Sequence, residues 1–260
     1  MFSSRDIKRI VIKIGTSSLT HKTGRLDFAR LERLARALAD IKNTGLDVAL
    51  VTSGAIGVGM SKLGMTARPR ELMYKQAAAS VGQCELMHIY DKFFLDYSQV
   101  VGQILITKND ITQPERRKMI EDTFEALFEL GAIPVVNEND SVGVEEILFG
   151  DNDSLSAEVA VLAKADLLII FSDIDGLYDS NPNENENAKV IPLVNGVDEH
   201  IRSIAGGAGT SLGTGGMVTK IHAAEICLEN GIPMVITNGA HIENVYDIIA
   251  GKICGTLFMK

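Results

Sequence analysis

An α/β fold on a mainly parallel sheet, with helices on both faces, is what this chain predicts, because short β-branched runs alternate with helical patterns along its length. Ile10-Val11-Ile12-Lys13-Ile14 is closed by Gly15, and Val48-Ala49-Leu50-Val51-Thr52 is closed by Ser53-Gly54. Runs this uniformly apolar fit strands buried on both sides. Between them, Asp27 can cap a helix in which Leu31, Leu34, Ala35, Leu38 and Ile41 share one face, and Gly45 marks its end. Further strands are expected at Val100-Ile106, Ile133-Asn137, Leu167-Ser172, Pro233-Thr237 and Thr256-Met259. Helices are expected near Glu71-Leu95, Glu115-Leu130, Asp153-Lys164 and Met217-Glu229. The long Glu71-Leu95 segment reads equally as a core helix or as an interface helix. Asn181-Pro182-Asn183-Glu184-Asn185-Glu186-Asn187 reads as a solvated loop.

A length of 260 residues fits one large α/β unit with two lobes, spanning residues 1–260. No apolar run approaches the roughly 20 residues of a membrane span, so no membrane association is expected. The start, Met1 to Arg9, is charged and has no apolar h-region, which predicts a cytoplasmic protein. Thirty-four acidic against 25 basic residues leave a formal charge of −9, which argues against a nucleic-acid surface. If the substrate is an anion, the cations that receive it must be few and local. Cys84, Cys227 and Cys254 are scattered without metal-ligand spacing and read as structural thiols, and no protein ligand for a metal is expected.

Three runs carry chemistry. Gly150-Asp151-Asn152-Asp153-Ser154 places two carboxylates and an amide at the start of a helix whose continuation, Ala157 to Ala163, is apolar on nearly every side. One of these residues can serve as a cap; three of them, shortly after Asn137-Glu138-Asn139-Asp140, also suit a polar floor that receives substrate and positions cations. Lys13 stands at a strand end before the small residues Gly15-Thr16-Ser17-Ser18, either as a solvated lysine or as part of a phosphate cradle. Leu212-Gly213-Thr214-Gly215-Gly216 feeds a helix containing Lys220, either as a flexible linker or as a second cradle whose N–H groups and dipole face an anion. No Walker A string occurs, and Gly54-Ala55-Ile56-Gly57-Val58-Gly59 is not a dinucleotide fingerprint. Asp173-Ile174-Asp175-Gly176 is a poor calcium loop, because Leu177 takes the next ligand position.

In the order Val11-Ile12-Lys13-Ile14-Gly15-Thr16-Ser17, Val51-Thr52-Ser53-Gly54-Ala55-Ile56, Asn137-Glu138-Asn139-Asp140, Gly150-Asp151-Asn152-Asp153 and Gly213 to Lys220, the chain resembles the glutamate 5-kinases of the amino acid kinase superfamily. The resemblance implies a three-layer αβα sandwich. It also implies ATP- and Mg²⁺-dependent phosphorylation of the side-chain carboxylate of L-glutamate, the first step of proline synthesis. By family pattern Lys13 and Lys220 stabilise the phosphoryl group in transfer, and Asp153 orients them. Ser53, Asp140 and Asn152 match the glutamate contacts. Lys13, Ser172, Asp173, Thr214, Gly215, Gly216, Met217, Val218, Thr219 and Lys220 match the nucleotide contacts, and Mg²⁺ is expected on the ATP phosphates. The implied arrangement has an amino-acid-binding N-terminal lobe and a nucleotide-binding C-terminal lobe.

The resemblance further implies a homo-oligomer, feedback inhibition by L-proline and a functional link to glutamyl phosphate reductase. Two departures stand out. Many members continue into a C-terminal PUA domain, which is not expected after Gly255-Thr256-Leu257-Phe258. The family's usual Asp-Pro and basic residue after Tyr178 are replaced by Asn181-Pro182-Asn183. Asp140 has a reason of its own, since a buried α-ammonium needs an anionic partner. That favours free glutamate over N-acetylglutamate. Aspartate, carbamate and nucleoside monophosphate kinases remain alternatives in the superfamily, and a non-catalytic nucleotide-binding protein is the alternative outside it.

Overall fold

A computed structural model describes residues 7–21, 25–143, 152–182, 184–207 and 216–260. The chain divides into two compact units, one of residues 14–150 and one of residues 1–13 with 151–260. Both are α/β, with mainly parallel strands and accompanying helices.

In the 14–150 unit the strands are β2 (Asp47–Val51), β3 (Val101–Ile106) and β4 (Ile133–Glu138), in the order β3-β4-β2. All are parallel, with Val51 opposite Val136 and Ile104 also opposite Val136 across the other edge of β4. Among the described residues six helices accompany them: α1 (Thr16–Leu19), α2 (Phe28–Asn43), α3 (Ala55–Lys62), α4 (Leu72–Leu95), α5 (Lys108–Thr112) and α6 (Pro114–Glu129). Helix α2 forms for the reasons its sequence gives. Asp27 caps it by accepting from the Arg30 N–H at 3.1 Å, and Leu31, Leu34, Ala35, Leu38 and Ile41 are buried. Each fully buried leucine contributes about 1.5–3 kcal/mol. Helix α6 starts with Pro114 at its first position, where a missing N–H costs nothing, and buries the stacked pair Phe124 and Phe128.

Helix α3 was not anticipated, since Gly57 and Gly59 lower its intrinsic propensity. Tertiary contact supplies the reason it forms. A Cβ on Gly59 would lie 1.8 Å from the Ala78 carbonyl, and one on Gly82 would lie 1.8 Å from the Ala55 carbonyl, so α3 and α4 touch backbone to backbone. Helix α4 therefore serves as a core helix along Ala78, Ala79, Gly82, Gln83, Leu86, Ile89, Tyr90 and Phe94.

The other unit contains β1 (Arg9–Ile14, through Lys13), β5 (Leu167–Ser172), β6 (Leu193–Asn195), β7 (Met234–Asn238) and β8 (Thr256–Met259), in the order β1-β5-β7-β8-β6. Strands β5 and β7 are parallel, β8 runs antiparallel to β7, and β6 returns parallel to β8. Its helices are α7 (Asn152–Leu162), α8 (Glu199–Gly207), α9 (Met217–Glu229) and α10 (Asn244–Ile249). The three-residue β6 carries too little alternation to be read from sequence. Asp166 fixes the start of β1 by accepting from the Lys8 and Arg9 N–H groups, each at 2.8 Å. Of the thiols, Cys227 is buried and pushed up to about 12 by desolvation and the nearby charge of Glu158, whereas Cys84 is exposed on α4. Among the described residues no helix is long and apolar enough to cross a membrane.

Candidate active site

Strand β1 is buried along Ile10 to Ile14, and Lys13 is the one charged side chain in that stretch, only 7% exposed. Its Nζ lies 2.5 Å from Asp153 Oδ1. Asp153 stands in the first turn of α7 and is fully buried. From the first turn of α9, Lys220 brings its Nζ to 2.9 Å from Asp153 Oδ2 and is itself 5% exposed. Side chains on a helix lean toward its N-terminus, which suits Lys220 in the first turn of α9 to reach Asp153. The Thr219 hydroxyl adds a third contact, 3.1 Å from Asp153 Oδ2. The Ser156 hydroxyl donates to the Asp153 carbonyl at 2.6 Å and fixes the turn.

Burial works against a charged Asp153, yet the charges of Lys13 and then Lys220, with their hydrogen bonds, outweigh it and hold the carboxyl below the ordinary carboxylate range. Within these three side chains, two ammonium groups on one carboxylate leave a charge of 2 − 1 = +1. The N-terminus of α9 at Gly216 adds the positive end of a 13-residue helix. Two buried ammonium groups beside the N-terminus of a helix are chemically suited to an anion with several oxygens.

Elsewhere in the same unit, Ser172 ends β5 with its hydroxyl donating to Asp173 Oδ1 at 3.1 Å and its carbonyl accepting from the Gly239 N–H at 2.7 Å. Asp173 is exposed, and so is Val218. Asn152 is buried at the start of α7. Gly150, Asp151, Gly213, Thr214 and Gly215 lie outside the described residues, as does Asn183 in the Asn-rich loop. Asp175, which the sequence placed only in a poor calcium loop, accepts from Asn238 Nδ2 at 2.7 Å and from the Tyr178 hydroxyl at 3.0 Å, tying the ends of β5 and β7.

In the 14–150 unit, Ser53 follows β2, with its hydroxyl 3.1 Å from the Thr16 hydroxyl and donating to the Ile14 carbonyl at 3.4 Å. Gly54 takes φ +97, a value that favours glycine, and so turns the chain directly into α3. Asp140 lies two residues beyond β4 and is partly exposed. Two further buried polar side chains, both from α4, hold these strand ends. The Tyr90 hydroxyl is 2.7 Å from Thr52 Oγ1, and Gln83 Oε1 accepts from Asn137 Nδ2 at 2.8 Å. Their signal in the sequence is faint: two polar groups seven residues apart on an otherwise apolar helix face.

The sequence pattern of the amino acid kinase family matches residues 8–238. The chain belongs to that family. A glutamate 5-kinase of Clostridium acetobutylicum is 56% identical over 254 residues, an alignment covering 98% of this chain and 95% of the relative. A glutamate 5-kinase of Carboxydothermus hydrogenoformans is 51% identical over 255 residues, covering 98% of this chain and 68% of that one. Among solved structures, a UMP kinase from Ureaplasma parvum superimposes with a TM-score of 0.67 over 98% of this chain and 99% of its own, at 17% identity. At that identity the likeness speaks for the fold alone.

Proposed function

We infer that Lys13 and Lys220 neutralise the phosphoryl group as it passes from ATP to an acceptor carboxylate, with Asp153 fixing the two ammonium groups. The activity is the ATP- and Mg²⁺-dependent phosphorylation of L-glutamate on its side-chain carboxylate, giving L-glutamyl 5-phosphate for proline biosynthesis. The observation that carries the residue assignment is the buried cluster with one positive charge in excess. A glutamate side chain, with a pKa of about 4.3, is ionised at neutral pH and can attack phosphorus without a general base. What resists the reaction is the approach of two anions, and charge neutralisation is the remedy. Mg²⁺ bound to the ATP phosphates supplies further neutralisation.

Ser53, Asp140 and Asn152 bind the amino acid in this reading, Asp140 pairing with the α-ammonium. Ser172, Asp173 and residues 214–220, with Lys13, bind the nucleotide. The division of labour assigns the amino acid to the N-terminal lobe and the nucleotide to the C-terminal lobe within one kinase domain. The family resemblance also supports a cytoplasmic homo-oligomer inhibited by L-proline. It supports a link to glutamyl phosphate reductase as well, since an acyl phosphate is best consumed where it is made.

Hydroxylamine trapping tests the reaction, because an acyl phosphate yields a hydroxamate and a phosphorylated hydroxyl does not. ATP, Mg²⁺ and L-glutamate should give hydroxamate. L-Aspartate should give about a hundredfold less, its carboxylate being one methylene out of place. N-Acetylglutamate should be poor because it has no ammonium for Asp140. ADP release independent of glutamate, or a preference for either analogue, refutes the assignment. Asp140→Asn should raise glutamate KM and leave Mg-ATP KM near that of the parent; an unchanged glutamate KM removes Asp140 from the site.

A further inference from the structure

Gln83 is 8% exposed on α4, and the orientation of its amide follows from a chain of bonds anchored in the backbone. The Glu138 N–H donates to Asn137 Oδ1 at 2.9 Å, which turns Asn137 Nδ2 toward Gln83. That nitrogen can only donate, so the atom it meets at 2.8 Å is the Gln83 oxygen, Oε1. Gln83 Nε2 is thereby directed away from Asn137 with both hydrogens available. It is buried, and among the described residues no acceptor lies within hydrogen-bond reach of it. Buried donors in native proteins nearly always have partners, so one left open calls for an acceptor supplied from outside the chain.

Its position says which acceptor. Asn137 is at the carboxyl end of β4, three residues before Asp140, and its neighbour across the sheet is the end of β2, where the Thr52 N–H donates to the Val136 carbonyl at 2.9 Å and Ser53 follows. In open α/β sheets small ligands bind at these carboxyl ends. We propose that Gln83 is a substrate-binding residue whose Nε2 donates to a carboxylate oxygen of the bound L-glutamate. The proposal rests on the reading that Asp140 and Ser53 receive that substrate. Helix α4 is well placed to hold such a donor still: seven residues on, two helical turns, Tyr90 is bonded to Thr52, and beside Gln83 the backbone of Gly82 is pressed against α3.

The test is Gln83→Glu, with Gln83→Met and Asp140→Asn measured beside it by hydroxamate formation. Gln83→Glu keeps an oxygen for Asn137 and replaces the donor. Glutamate KM should rise at least about tenfold, the scale of one hydrogen bond to a charged acceptor, with Mg-ATP KM near that of the parent. The defect should deepen as pH rises from about 6 to 9, because an ionised carboxylate cannot donate. Gln83→Met should show the KM rise without that pH dependence. If Gln83 merely braces Asn137, Gln83→Glu will match the parent in glutamate KM, and the proposal is overturned even if Gln83→Met is impaired. A raised KM in Asp140→Asn with a normal one in Gln83→Glu rejects Gln83 alone, whereas normal values in both reject the placement of the glutamate site. Should Gln83→Glu not fold, hydrogen exchange of the Gln83 side-chain amide in the unaltered protein decides: L-glutamate should slow it, and no change overturns the proposal.

Discussion

Two buried polar regions of this chain are built on opposite electrostatic terms. Among the described contacts Asp153 meets Lys13, Lys220 and Thr219, and its three charged side chains sum to one positive charge. On α4, the Tyr90 pair with Thr52 and the Gln83 pair with Asn137 are neutral throughout, and burial pushes the Tyr90 phenol above its ordinary range so that it stays so, a shift its bond to Thr52 moderates. A neutral pair holds two elements together at little electrostatic cost. The charged cluster cannot be explained as a fastening, because a buried ion pair replaced by apolar residues is often no less stable. Two buried lysines sharing one carboxylate suit a site where an anion is due to arrive, and neutral pairs suit strand ends that must stay in place beside such a site.

The strongest way to break this contrast is Asp153→Asn, which leaves Lys13 and Lys220 buried together without the carboxylate they share. A loss of about 3–5 kcal/mol in urea unfolding is expected, together with loss of activity. A loss well under that range would show the two ammonium groups to be hydrated and the contrast to be unfounded. Lys220→Met should act in the opposite sense on stability. It takes the local charge from +1 to zero, so the unfolding midpoint should be no lower than the parent's, while kcat falls about a hundredfold or more. Near-normal kcat in that folded variant would remove Lys220 from the transfer step.

Tyr90→Phe sharpens the other side. It should cost about 1 kcal/mol, the worth of one buried neutral hydrogen bond, with kcat unchanged. A large fall in kcat would mean that the brace takes part in the chemistry. The smallest effect is on acid sensitivity. The Asp153 carboxyl is held below its ordinary value in the folded state, so its contribution to stability is fully present above the unfolded pKa of about 3.9 and is lost as pH falls through the lowered value. Urea midpoints should therefore be flat in this respect from about pH 8 to 6 and decline below about 4, with a shallower decline in Asp153→Asn. An equal decline in both proteins would assign the acid sensitivity to other carboxylates.

Much of the architecture was legible where local and global preferences agree. The runs at Ile10, Val48, Ile133 and Leu167 are apolar enough to be strands in any arrangement, and α2 carries its cap, its apolar face and its stop within twenty residues. Helix α3 and strand β6 escaped notice for physical reasons. Glycines that weaken an isolated helix are required in α3 by backbone contact with α4, and three residues of β6 are held by a partner rather than by their own pattern. The wording of the motifs also marked Lys13, Asp153 and Lys220 as residues of interest. Their spacing alone does not say that they meet; only the family resemblance implies it.

Composition and periodicity alone determined the α/β class, the acidic net charge and the main strands and helices, because burial along one face is written into every few residues of the chain. Only the tertiary structure decided that Lys220 should reach a carboxylate 67 residues away and share it with a lysine from the first strand. It alone oriented the Gln83 amide through Asn137 to the backbone of Glu138. The reason is common to both: a charge or a donor takes its meaning from what surrounds it when water is excluded, and sequence spacing does not record which distant groups will do the excluding.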